Sequence, residues 1–153
     1  MIQTKTNIKS KLLTLPTFFL LVITDQLTKK IALSLKDPLN LGPITIETTY
    51  NPHSALSLYQ GPLLYLTILQ TICVVSLLIF SRKIKNYLTD TGYVLVLAGG
   101  VSNLLDRAIN ANKILDGAVI DMIKLFDLVT INLADILITL GVLTIFLKKE
   151  TKR

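Results

Sequence analysis

Four aspartates, Asp25, Asp106, Asp121 and Asp135, stand inside or beside long apolar stretches. An unpaired charge is costly there, so each carboxylate needs a partner or a role. Two carboxylates sharing a partly dehydrated site cannot both ionise; one keeps a proton while the other is a base. Such a pair can hydrolyse a peptide bond. The charged member deprotonates an attacking water, and the protonated one stabilises the oxyanion forming on the scissile carbonyl. Asp135 lies three residues after Asn132, so the two share a helical face and make a polar patch in apolar sequence. Asp121 sits in the apolar run Ala118-Val119-Ile120-Asp121-Met122-Ile123, fourteen residues before Asp135, in a loop that must fold back to meet it. The structural alternative pairs Asp25 with Lys29 at i+4, pairs Asp106 with Arg107 or another cation, and makes Asp135 a helix cap. For Asp25 and Asp106 that alternative is the stronger reading; for Asp135 the polar patch weakens it.

The elements that must position these groups follow from hydropathy. The chain has 153 residues, 51% hydrophobic and 17% charged, with a mean hydropathy of +0.59, too apolar for a soluble domain of this size to cover its core. A hydrocarbon layer about 30 Å thick needs roughly 20 apolar residues per helical span. Residues 12–35, 62–80, 91–109 and 131–147 each approach that length. They predict an all-α membrane protein, a four-transmembrane-helix bundle in one domain covering 1–153. At 1.5 Å rise per residue, Asp25 falls about 20 Å from the inner start of the first span. Asp106 falls about 24 Å from Asp90, and Asp135 about 20 Å from Lys148, so all three converge on the outer third of the membrane. In the first outer loop, Gly42-Pro43 and the β-branched run Ile44-Thr45-Ile46-Glu47-Thr48-Thr49-Tyr50 predict a small β-structure on the membrane surface.

Charge sets the orientation. The net charge is +6, but the basic residues cluster as Lys5, Lys9 and Lys11, as Arg82, Lys83 and Lys85, and as Lys148, Lys149, Lys152 and Arg153. With four spans these clusters fall on one side, and the positive-inside rule makes that side cytoplasmic, both termini included. The outer loops, 36–61 and 110–130, carry Lys36, Lys113 and Lys124 alone among Lys and Arg. Topology and anionic headgroups account for the basic residues, and with no aromatic interleaving the sequence argues against nucleic-acid binding. The first span resembles a signal peptide, yet Ile23-Thr24-Asp25-Gln26-Leu27 offers no small-x-small cleavage site, so an uncleaved anchor is expected. One cysteine, Cys73, excludes an intramolecular disulfide and a multi-cysteine metal site; one histidine, His53, excludes two-histidine zinc chemistry. A serine peptidase built on His53 with Ser54 or Ser57 lacks an orienting partner for the histidine.

Five blocks, in order, resemble lipoprotein signal peptidase, the membrane aspartic enzyme of bacteria that removes signal peptides from prolipoproteins. They are Asp25-Gln26-Leu27-Thr28-Lys29, Asn51-Pro52-His53-Ser54-Ala55-Leu56-Ser57, Gly99-Gly100-Val101-Ser102-Asn103-Leu104-Leu105-Asp106-Arg107, Val119-Ile120-Asp121-Met122 and Asn132-Leu133-Ala134-Asp135. The resemblance covers nearly the whole chain. It implies Asp121 and Asp135 as catalytic residues, with Asp25, Asn51, Asn103, Asp106, Arg107 and Asn132 positioning substrate or bracing the site. It further implies a substrate with a diacylglyceryl-modified cysteine, cleaved N-terminal to that cysteine, and a β-structure from the first outer loop over the site. No metal or organic cofactor is implied. A monomer in the bacterial cytoplasmic (inner) membrane is expected, crossing it several times, with lipidated prolipoproteins and membrane lipids as partners. Four positions depart from the family pattern: His53 replaces Gly, Leu56 replaces Phe, Ser102 replaces Gly, and Met122 replaces Phe.

Two other classes fit parts of the pattern. A small transporter or channel subunit would use Asp25, Asp106 and Asp135 to carry protons or cations. A degenerate peptidase scaffold would account for the substitutions at His53 and Ser102.

Overall fold

A computed structural model describes residues 2–52, 63–81, 87–111 and 117–150; His53, Ser54, Leu56 and Ser57 lie outside them. The described residues form four helices, α1 (Ile2–Ser34), α2 (Leu63–Ser81), α3 (Tyr87–Ile109) and α4 (Leu133–Glu150), at the four apolar runs. The fourth helix starts two residues later than the apolar run because Val129–Ile131 is a strand and Asn132 caps the helix.

The expected helices and the small β-structure from the first outer loop are present, and the sheet extends beyond that loop. An antiparallel sheet in the order β1-β2-β3-β4 joins β1 (Leu39–Asn40) and β2 (Ile44–Asn51) to β3 (Val119–Leu125) and β4 (Val129–Ile131). The second connection thus contributes half of the sheet. Its Val119–Met122 segment is buried without alternation, which reads as an apolar loop until its partner strand is known. The three-residue connection between β3 and β4 turns through Phe126 and Asp127, whose φ values of 50° and 55° lie in the left-handed region, and the Leu128 N–H closes the turn on the Leu125 carbonyl at 2.9 Å.

Among the described residues no helix is long and apolar enough to cross a membrane. Polar side chains interrupt the hydrophobic runs, notably Asp25, Gln26, Lys29 and Lys30 in α1 and Asp106 with Arg107 in α3. Their placement is informative: Asp25, Lys29, Asp106 and Arg107 are buried, whereas large apolar residues of α1, α2 and α4 face outward. Ile23, Leu27 and Ile31 line the outside of α1, and Leu140, Leu143 and Leu147 that of α4. The polarity is inside out relative to a water-soluble bundle. Hydroxyls on these apolar helices turn back onto their own turns: Thr24, Thr71 and Thr144 donate to the carbonyls of Leu20, Thr67 and Leu140.

α3 is the central helix and packs against α1, α2 and α4. Small residues let α4 approach it. A Cβ on Gly99 would lie 2.4 Å from the Ala134 carbonyl oxygen, and one on Gly141 would lie 2.6 Å from that of Gly92. This close approach seats the first turn of α4, and with it Asp135, beside Asn103 of α3.

Candidate active site

The sheet and the helix ends bring Asp121 and Asp135 to one cavity of about 300 Å³, lined also by Asn51, Asn103, Arg107 and Gln70. Asp121 is on β3 and only 2% exposed. The β2–β3 register sets Thr49 opposite Asp121 and Asn51 opposite Val119. Asn51 therefore lies diagonal to Asp121 on the same face, and its Nδ2 donates to Asp121 Oδ2 at 2.8 Å. The other carboxylate oxygen, Oδ1, accepts from Asn132 Nδ2 at 2.7 Å.

Asp135 occupies the third position of α4, and Asn132 is the residue that caps the helix. Asn132 Oδ1 accepts from the Asp135 N–H at 2.9 Å, and Asp135 Oδ2 accepts from the Asn132 N–H at 3.4 Å, a reciprocal capping box. Its second oxygen accepts from Asn103 Nδ2 at 3.2 Å. The cap reading and the paired-carboxylate reading of Asp135 thus describe the same residue: the cap holds one oxygen and leaves the side chain at the cavity wall. Asn132 links both aspartates directly, and Asn103 Oδ1 accepts from Asn132 Nδ2 at 3.1 Å.

Asp25 and Asp106 stand behind the cavity and do not line it. Lys29 Nζ lies 2.7 Å from Asp25 Oδ2 and 2.7 Å from Asp106 Oδ2, with all three side chains buried. Each of these carboxylates also grips backbone beside a cavity aspartate. Asp106 Oδ2 accepts from the Ile120 N–H at 3.1 Å, one residue before Asp121. Asp25 Oδ1 accepts from the Ala134 N–H at 2.8 Å, one residue before Asp135. Lys29 further donates to Asn103 Oδ1 at 3.2 Å, which turns the amide so that its NH₂ faces Asp135. Ser102 Oγ donates to Asp25 Oδ2 at 2.6 Å and accepts from Gln26 Nε2 at 3.0 Å, while Gln26 also donates to Asp106 Oδ1 at 2.8 Å. The hydroxyl that departs from the family glycine is therefore fully engaged. Met122, the other described departure, is 4% exposed and packs in the core.

Arg107 closes the last turn of α3. Its Nη1 donates to the Gly117 carbonyl at 3.3 Å, and the Gly117 N–H donates to the Arg107 carbonyl at 3.2 Å. This exchange returns the chain to α3 immediately before β3, the fold-back on which Asp121 depends.

Burial pushes the Asp121 carboxyl up to about 6; the hydrogen bond from Asn51 opposes the rise, and the neighbouring charge of Asp135 adds to it. A carboxyl in that range can hold a proton near neutrality, as an acid–base pair requires.

The sequence grouped these eight polar residues, six of which line the cavity or hydrogen-bond to it directly. It missed the central role of Lys29, weighed there as a partner of Asp25 alone. It also missed the contribution of α2, which lines the cavity with Leu66, Leu69, Gln70 and Cys73. Gln70, an amide in an otherwise apolar run, was a signal that could have found it.

The family model described as Signal peptidase (SPase) II matches residues 17–149. The lipoprotein signal peptidase of Lactobacillus johnsonii is 33% identical over 135 residues, covering 84% of this chain and 85% of that protein. Its counterpart in Helicobacter pylori is 32% identical over 151 residues, covering 95% and 91%. A solved bacterial membrane enzyme, determined by the in meso method at 2.3 Å, superposes with a TM-score of 0.78 at 25% identity, covering 90% of this chain and 87% of that one. A second, determined at 1.9 Å, gives 0.74 at 27% identity, covering 88% and 90%. Family and fold agree with the inside-out polarity of the helices: the chain belongs to the signal peptidase II family of membrane aspartic peptidases.

Proposed function

We propose that Asp121 and Asp135 form the catalytic dyad of a peptidase that removes the signal peptide from prolipoproteins. The observation carrying this reading is the double attachment of Asn132, which donates to Asp121 at 2.7 Å and caps Asp135 at 2.9 Å across a shared cavity. The pair shares one proton. The charged carboxylate takes a proton from water as its oxygen attacks the scissile carbonyl, and the protonated one donates to the carbonyl oxygen. Collapse of the tetrahedral intermediate then breaks the C–N bond, with a proton passing to the departing amine. Asn51, Asn103 and Asn132 orient the two carboxylates; Asp25, Asp106 and Arg107 hold the backbone that carries them.

The substrate class is a chain with a diacylglyceryl-modified cysteine, cut on its N-terminal side. A membrane-held substrate reaches the cavity by lateral diffusion, consistent with the apolar outer faces of α1, α2 and α4. The whole chain, 1–153, acts as one domain and as a monomer in the bacterial cytoplasmic membrane. It crosses four times near 12–35, 62–80, 91–109 and 131–147, with both termini inside; the basic clusters support that orientation.

Two experiments test this. Purified protein is given a prolipoprotein with and without the diacylglyceryl group, and the products are weighed by mass spectrometry. Cleavage before the modified cysteine alone is expected, and equal cleavage of the unmodified chain would overturn the substrate class. For topology, Lys85→Cys and Lys113→Cys are each placed in a Cys73→Ser background and labelled from outside. Labelling of the second only is expected; labelling of the first would reverse the orientation.

A further inference from the structure

One polar group on the cavity wall is used neither by the dyad nor by the network behind it. α2 supplies that wall mostly with Leu66, Leu69 and Cys73, and Gln70 is the one amide in the helix. Gln70 Nε2 donates to the Gly100 carbonyl of α3 at 3.2 Å. The bond is possible because α3 comes close to α2 at this point: a Cβ on Gly100 would lie 2.8 Å from Val74 Cγ2. Pinned through its nitrogen, the amide has a fixed plane. Its Oε1 accepts no hydrogen bond from the described residues, and Gln70 lines the cavity.

A peptide stretched across the cavity loses water from its backbone, and an N–H left there without an acceptor weakens its binding. The other side-chain amides at the cavity are already committed. Asn51 donates to Asp121 and Asn103 to Asp135, so both present donors toward the carboxylates. The acceptor on the α2 side is Gln70. We infer that Gln70 Oε1 accepts a hydrogen bond from one backbone N–H of the substrate beside the scissile bond, making Gln70 a positioning residue for the peptide. The inference rests on the peptidase reading. It assigns α2 the task of setting substrate register, while α3, α4 and the sheet supply the chemistry.

The test is a double-mutant cycle in full-length protein. Lipidated substrate peptides are made with each backbone amide near the cleavage site replaced in turn by an ester, which removes one N–H. One ester should lower wild-type kcat/KM about 10-fold more than the others, mainly through KM. Gln70→Met, similar in shape but without the acceptor, should lower cleavage of the all-amide substrate by a similar factor. The same ester should then cost Gln70→Met nothing further. Gln70→Glu keeps an acceptor oxygen but not the N–H that reaches the Gly100 carbonyl, so it should retain part of the ester sensitivity, and it guards against a Gln70→Met protein that fails to fold. Additive losses in the cycle, or no ester-sensitive position in wild type, would overturn the assignment. Absence of cleavage by wild type on the all-amide substrate would instead refute the peptidase reading itself.

Discussion

Lys29 Nζ on α1 lies 2.7 Å from Asp106 Oδ2 on α3, and both partners are buried. Asp25 completes the group at 2.7 Å. One ammonium thus serves two carboxylates, and each carboxylate holds the backbone N–H one residue before a cavity aspartate. Lys29→Met leaves both carboxylates buried without their cation and should cost about 3–5 kcal/mol. The expected outcome is a large drop in thermal unfolding temperature in detergent, with loss of cleavage in whatever folds. Lys124→Ala is the control. It removes a half-buried surface cation paired with Glu47 and Asp127 at 3.3 and 3.2 Å, a solvent-screened arrangement, and should leave cleavage unchanged.

The pH profile of kcat/KM should fall above a limb near 6. A carboxyl raised to about 6 keeps its proton below that pH, so the singly protonated pair is the populated form there. Above it both carboxylates are charged and no acid remains to donate to the carbonyl oxygen. The Asn51 hydrogen bond stabilises the charged form of Asp121, so Asn51→Leu should move the limb to higher pH. A limb that stays in place would remove Asn51 from this role.

Gly99→Ala should separate α3 from the first turn of α4. The new methyl would sit 2.4 Å from the Ala134 carbonyl oxygen, which is backbone and cannot rotate away, at a cost of about 1–3 kcal/mol. Because Ala134 precedes Asp135, kcat should fall more than KM rises. Gly100→Ala meets only the Val74 side chain, at 2.8 Å, and should be the milder of the two in kcat and unfolding temperature.

Local chemistry made part of this site legible in the sequence. The four apolar runs identify the helices, and i+4 spacing alone pairs Asp25 with Lys29. The three-residue step from Asn132 to Asp135 is a capping box as well as a shared face. The bond from Lys29 to Asp106 joins residues 77 positions apart, as the numbering shows, and no local pattern announces it. β3 is hidden for a different reason. Its first half, Val119–Met122, is buried on both faces, Asp121 included, so the period of two that marks a surface strand is missing. β2, half-buried and rich in β-branched residues, shows more of that signal and is legible as β-structure.

The central claim is that Asp121 and Asp135 act together on the scissile bond. Its most direct measurement is the single-turnover cleavage rate of a lipidated prolipoprotein by wild type, Asp121→Asn and Asp135→Asn, each first shown to be folded by its unfolding transition. Either substitution should lower the rate by about 10²–10⁴-fold or more while substrate binding persists. Wild-type rates in either folded variant would contradict the account.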